Sequence, residues 1–367
     1  MSPSEESLTL PSRARISTRL EPVLNVLHSL LLLTKVEDVS GFGDWVIRTA
    51  QAMTPEERRL NNLVIIGFHY AVMPQRSWES FPAYLKHLQA TSPVALRDKM
   101  LDHYARKPWW GKTDSIGMVP APDKRAALKS ADAYLEFLRQ IFGADKVDVE
   151  IETQAFKYVS NPPAMKKLIV THLRTMWKKY LAPEWDRVTP MLQDAVKAFA
   201  LGDFSKMSRP DAYRWVTGHD LDDDKWKKPF EEAEQIVFVP SAHVGPYTGR
   251  FQAGNTLWII FGARVPEGAK AVAPSLNRAD VLVRLSALTD DSRLRILKYI
   301  AEQGEVRSQD IIQTLGSSQP AVSRHLMQLV ATGYLSERRC EGAKCYALNR
   351  ARIEETLHAL SAFLLGL

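Results

Sequence analysis

The stretch that most limits how this chain can fold is Ser317-Ser318-Gln319-Pro320-Ala321-Val322-Ser323-Arg324-His325-Leu326-Met327-Gln328-Leu329-Val330. Val322, Leu326, Leu329 and Val330 fall at i, i+4, i+7 and i+8, one apolar stripe for a core. Ser317 or Ser318 offers a side-chain cap, and Pro320 is tolerated in a first turn, where its missing N–H costs little. At 100° per residue Arg324 points directly away from the stripe, flanked by Ser323 and Gln328. Such a helix, polar and Arg-bearing outside and apolar inside, suits a DNA major groove. Gly333 is placed to end it in a left-handed conformation.

The neighbours supply what that helix needs. Residues 290–300 start at acidic caps and turn Leu294, Leu297 and Ile300 inward; after Gly304, Ser308 caps a short helix with Ile311, Ile312 and Leu315 on its core side, closed by Gly316. Helix, short helix, glycine turn and helix is the order of a helix-turn-helix. Residues 334–339, a Glu341-Gly342 turn and residues 344–348 then read as a β-hairpin wing with Arg338, Arg339 and Lys344 near its tip. Residues 350–365 finish as an amphipathic helix.

The segments 291–297 and 318–326, with the Arg338-Arg339…Glu341-Gly342 hairpin, resemble the ArsR/SmtB winged-helix repressors over about the last 90 residues. The resemblance implies a homodimer built on helices near 279–288 and 350–365, with the 318–331 helix in the major groove of double-stranded DNA. The metal sites of that family do not carry over. Residues 308–315 hold no cysteine, and the last helix offers only His358 with Glu354 and Glu355.

Charge adds little to the DNA reading. Residues 277–367 hold 12 Lys+Arg against 10 Asp+Glu, and the formal excess of +6 is spread over the whole chain. Two cysteines in 367 residues exclude a disulfide scaffold and suit a reducing cytoplasm. The apolar run 23–33 holds Asn25, His28 and Ser29 and is too short to span a bilayer, so no membrane association is expected.

The fold class expected is mainly α with small β elements: a disordered tail (1–14), a mainly helical N-terminal regulatory or dimerisation domain with a small sheet (15–265), a linker (266–277) and the winged helix-turn-helix (278–367). Residues 15–20 alternate like an edge strand. Helices are expected over 21–33, 43–53, 55–70, 78–90, 93–106, 124–142, 163–180 and 183–201, the last two hinged at Ala182-Pro183. Strands are expected at 147–151, 235–240 and 256–262, with a loop over 241–249. All nine tryptophans precede the winged helix. The arrangement is similar to the large N-terminal domains of some longer ArsR-type regulators, a likeness of organisation that brings no ligand with it.

Other features divide between functional and ordinary readings. His325 lies beside the apolar stripe, to touch a phosphate or to pack. Cys340 and Cys345 flank the wing tip. A two-residue turn pairs Cys340 with Ala343 and Cys345 with Arg338, leaving the thiols diagonal and about 7 Å apart, whereas a four-residue loop would pair them directly and permit a redox bridge. Asp220-Leu221-Asp222-Asp223-Asp224 with Glu231 imitates a calcium loop, but Lys225 stands where glycine is required. Trp109, Trp110, His243 and Tyr247 could wall a small-molecule pocket, although tryptophans that bury about 150–250 Å² each serve more often as core. Ser241 and His243 do not by themselves make a nucleophile and base, and no metal site or cofactor is expected. The sequence therefore points to a cytoplasmic, homodimeric DNA-binding regulator with a small-molecule effector or a dimer-stabilising N-terminal domain. The competing reading gives that domain catalysis or partner binding.

Overall fold

The computed structural model describes residues 14–37, 39, 41–105, 123–221, 224–263, 278–316, 318–340 and 343–365. Residues 1–13 of the expected tail, the 266–277 linker, Trp109 and Trp110 lie outside the described residues. The chain is mainly helical with small sheets.

β1 (Arg15–Thr18) is followed by α1 (Pro22–Leu33), α2 (Asp44–Ala52), α3 (Pro55–Asn62), α4 (His69–Val72), α5 (Phe81–Ala90) and α6 (Pro93–Ala105). After α7 (Lys124–Ala127) come α8 (Ala131–Phe142), α9 (Val149–Val159), α10 (Pro162–Met176), α11 (Ala182–Ala200), α12 (Arg209–Thr217) and α13 (Asp224–Glu232). The strand expected at 147–151 is instead the start of α9, because Asp148 Oδ1 accepts from the Ile151 amide at 3.0 Å and caps a helix there. The expected hinge at Ala182-Pro183 is a π-helical turn, Trp177–Leu181, that joins α10 to α11. One extra residue in the turn accommodates Pro183, which has no amide to donate.

β2 (Gln235–Ser241), β3 (Gly249–Ala253) and β4 (Thr256–Gly262) complete a sheet of order β1-β2-β4-β3. β1 and β4 run parallel to β2 on either side, and β3 is antiparallel to β4. Continuous apolar runs suit β2 and β4 because both faces are covered. Ile236, Phe238, Leu257, Ile259 and Phe261 pack on Phe199, Tyr213 and Phe230. Val237, Val239, Trp258 and Ile260 face Leu24 of α1 and Phe251 of β3. A separate, larger core unites α1, α2, α4, α5 and α6 with Leu63, Val64 and Ile65 and with α8, α9 and α10. Most of the described tryptophans serve packing: Trp45 and Trp258 are buried, and Trp78, Trp177, Trp215 and Trp226 line the cores.

The 241–247 loop crosses the Gly41–Gly43 segment at close range. Gly245 has φ +62°, and a Cβ built there would lie 2.1 Å from the Gly41 carbonyl oxygen. Gly245→Ala combines a left-handed strain of about 1–3 kcal/mol with that clash, so urea denaturation is expected to show a loss of at least about 2 kcal/mol. An unchanged midpoint would contradict this packing.

The C-terminal region comprises α14 (Arg278–Leu288), α15 (Asp291–Gln303), β5 (Glu305–Arg307), α16 (Ser308–Leu315), α17 (Gln319–Ala331), β6 (Leu335–Cys340), β7 (Ala343–Leu348) and α18 (Arg350–Leu365). Its sheet has the order β5-β7-β6, all antiparallel. Its own core joins Ile296, Leu297 and Ile300 to Ile311, Val322, Leu326, Leu329, Tyr334 and Tyr346. α14 lies against α18.

Candidate DNA-binding surface and a buried histidine centre

Helix α17 forms where the apolar spacing places it, with Val322, Leu326 and Leu329 at most 2% exposed. Its start differs in one detail. Ser318 occupies the N-cap position with extended backbone but makes no side-chain capping bond, and Ser317 lies outside the described residues. The turn before it is held by Gly316 at φ +61°. At the far end Gly333 takes φ +79°, its amide donating to the Val330 carbonyl while that of Tyr334 reaches Leu329. In the preceding short helix Arg307 rather than Ser308 holds the N-cap position, and its amide donates to Asp310 Oδ2 at 3.3 Å.

The outward face carries Gln319, Pro320, Ser323, Arg324 and Met327, all exposed. Met327, 47% exposed, was not among the sequence candidates; an exposed apolar side chain on this face matches a thymine methyl group. Gln328 is the reverse case. It is only 3% exposed, and its Oε1 accepts from Arg293 Nη1 at 2.8 Å. Arg293 is itself buried and also donates to the Ala287 and Ser286 carbonyls at 2.7 and 2.8 Å, tying the end of α14 to α15 and α17. Residue 293 faces inward and Leu294 outward, 47% exposed, the opposite of the expected arrangement. Gln328 therefore cannot read a base edge.

His325 is half-buried, with Nδ1 3.9 Å from Asp290 Oδ1. Burial first, then the Arg293 and Arg324 charges, hold it below its ordinary value against the pull of Asp290. A histidine neutral at pH 7 is a poor phosphate partner, which favours its packing role.

In the wing, Cys340 pairs with Ala343 and Arg338 with Cys345, the register a two-residue turn requires. The cations there are already engaged. Arg338 donates through Nε and Nη2 to the Glu305 carboxylate, which this pairing holds below its usual range, and Lys344 Nζ lies 2.5 Å from Glu337 Oε1. β5 and β6 thus supply acids to cations for which the sequence alone offers no partner but phosphate. Arg339 falls in β6, with its side chain outside the described set. The diagonal thiols approach more closely than 7 Å: Cys340 and Cys345 sulfurs and a Glu305 oxygen all lie within 4.8 Å of one another. Both cysteines are free, and hydrogen bonding to Cys345, with burial, pushes the Cys340 thiol up to about 11.

The N-terminal candidates separate. Trp109 and Trp110 are outside the described residues, so they cannot be joined to His243 or Tyr247. Tyr247 is half-buried, edge-on to Phe42 at 5.6 Å. Burial raises its hydroxyl pKa, and the Arg293 charge opposes that rise. His243, 6% exposed, stacks on Trp45 at 4.4 Å. Its Nδ1 is 2.7 Å from Ser29 Oγ and its Nε2 2.9 Å from Glu184 Oε1. Glu184 also accepts two bonds from Arg187, and these partners bring it down to about 2 although burial alone would raise it. Sequence reading missed Ser29 and Glu184, which lie 214 and 59 positions from His243.

Serine, histidine and acid in a row evoke nucleophilic chemistry, but the arrangement differs from that of a serine hydrolase. The serine faces Nδ1 and the acid Nε2, the reverse of the hydrolase orientation. Ser29 is 2% exposed, and its hydroxyl lies 2.7 Å from the Asn25 carbonyl within its own helix. Beside it a cleft of about 10 Å³, room for about one water, is lined by Asn25, Ser29, Leu181, Glu184, Trp185 and His243. That is far below the roughly 300–1,000 Å³ of a small-molecule site.

The description bacterial regulatory protein, arsR family, matches residues 290–337, which run from the N-cap of α15 into β6. A probable mercury resistance operon repressor of Streptomyces lividans is 41% identical over 70 residues, 19% of this chain and 54% of that protein. Two arsenic resistance transcriptional regulators of Pseudomonas putida are 44% identical over 52 residues (14% of this chain, 41% of that protein) and 40% over 63 (17% and 55%). The chain thus spans about half the length of these relatives. No solved structure gives a significant match. Residues 290–337 are a helix-turn-helix domain of the arsR family of bacterial regulatory proteins.

Proposed function

We propose that this protein is a sequence-specific DNA-binding transcriptional regulator, a homodimeric repressor. The observation that carries the reading is the outer face of α17, where Gln319, Ser323, Arg324 and Met327 stand exposed opposite a fully buried stripe in a helix-turn-helix of the arsR family. Arg324, Ser323 and Gln319 would read base edges or fix register. Arg338, Arg339 and Lys344 would add a salt-sensitive phosphate contribution, exchanging carboxylate partners for phosphate. The name of the Streptomyces lividans relative supports repression. Leu357, Leu364 and Leu365 leave exposed apolar surface on α18, which packs on α14, and this supports a dimer built on that pair.

The N-terminal residues would act as the regulatory domain. A Cβ placed on Gly41 would come within 3.6 Å of Gln328 Nε2, so the Gly41 and 241–247 segments lie against the buried side of α17. A small ligand bound against that loop would shift it and, through Arg293 and Gln328, the set of the recognition helix. The His243 arrangement also keeps a catalytic reading of the N-terminal domain in contention, to be separated by a turnover assay on the full-length protein.

Hydroxyl-radical footprinting on DNA upstream of the protein's own gene tests the regulator reading. Two protected half-sites about one helical turn apart are expected. A single protected patch would contradict the dimer, and none at low salt would contradict the regulator.

A further inference from the structure

The Glu305, Cys340 and Cys345 cluster lies outside the proposed base-reading face, and nothing in the DNA reading uses its thiols. Among the described residues it is the only group of three side chains that places metal-ligand atoms together, all within 4.8 Å. The register explains the convergence. Cys345 of β7 lies opposite Arg338 of β6 and Arg307 of β5, so its diagonal neighbours on the same sheet face are Cys340 and Glu305. Three ligands thus come from three adjacent strands.

We propose that Glu305, Cys340 and Cys345 form a binding site for a thiophilic divalent cation of the zinc–cadmium class. Two thiolates and one carboxylate are a borderline-soft donor set, suited to such an ion and poor for magnesium or calcium. Ligands on one tetrahedral zinc lie about 3.5–3.8 Å apart, so the three atoms need to close by at most about an ångström. Binding forms two metal–sulfur bonds and one metal–oxygen bond, and both thiol protons leave to solvent. The fourth position would be water. Arg338, paired with Glu305, is placed to orient the carboxylate from behind, as outer partners of metal ligands do. The ion would fasten β5 to both wing strands.

The chain has only two cysteines, so any thiolate-to-metal absorption must arise from Cys340 and Cys345. The test is a titration of the reduced full-length protein with cadmium ion, followed by its ultraviolet charge-transfer band, with zinc as competitor. The expected result is a saturable band ending at one ion per chain and displaced by zinc. Cys340→Ser should remove most of the band, and Glu305→Gln should weaken binding at least about tenfold while leaving both sulfurs in place. Circular dichroism would confirm that each variant folds. No saturable band would overturn the site, as would a half-ion endpoint, which marks thiols bridging two chains. Unchanged affinity in Glu305→Gln would also overturn the three-ligand assignment. Failure of DNA binding would leave each of these readings intact.

Discussion

Arg293→Met is expected to destabilise the C-terminal region by about 3–5 kcal/mol while leaving the N-terminal residues folded. The guanidinium is 7% exposed and donates to two carbonyls at the end of α14 and to Gln328 Oε1. Methionine keeps the stem and its packing but leaves two buried acceptors and one half-buried acceptor without that donor. The two regions can be followed separately, since all nine tryptophans precede residue 277. Under urea, the circular-dichroism transition of the variant should acquire an early step, with the tryptophan fluorescence transition held near its wild-type midpoint. Coincident, unshifted transitions by both probes would show that Arg293 is not the clamp the geometry makes it.

A comparable effect is expected from acid at His172. This side chain is 5% exposed, its Nε2 lies 3.3 Å from Asn61 Oδ1, and burial lowers it to about 4 against a weaker opposing pull from Glu57. Between about pH 6.5 and 4 the unfolded chain binds a proton there that the folded chain does not, so stability rises with pH across that window. Acidification through it should remove about 3 kcal/mol through this residue. His28, lowered to about 4 by burial and then by the charges of His243 and His69, acts in the same direction. Glu152 opposes them. Burial, then Asp148, raise it to about 8, so it loses stability as pH rises from its ordinary value toward 8. The clean readout is therefore the difference between wild type and His172→Gln, measured as urea midpoints from pH 7 to pH 4. The variant should lose less stability on acidification; parallel curves would contradict the assignment.

Legibility in the sequence followed how local each determinant is. The α17 stripe, the glycines at 316 and 333, the wing register and the strands β2 and β4 depend on near neighbours and turn chemistry, and each appears where residue spacing placed it. Leu294 was expected inward and Gln328 outward, because the polar Arg293 and Gln328 count as surface until their partners are known. Here each is the other's partner, 35 positions apart, and their pairing swings the exposed arc of α17 toward Met327. The same distance hid the His243 centre, whose serine comes from α1 and whose acid from α11. Strand β3 was read as part of a loop and its continuation, since its pattern is short and interrupted by polar residues. The wing acids were equally hidden. Glu305 reaches Arg338 across 33 positions, through a strand of only 3 residues.

The central claim is that α17 reads DNA through Arg324. Its most direct test is fluorescence anisotropy of the full-length protein with its own upstream duplex and with a scrambled duplex, at two salt concentrations, beside Arg324→Ala. Wild type should bind the upstream duplex much the tighter, and loss of one base-reading arginine should reduce that margin about tenfold to a hundredfold. Binding to the scrambled duplex should change little and fall with salt in both proteins. Equal affinity for the two duplexes, or a margin untouched by Arg324→Ala, would contradict the account.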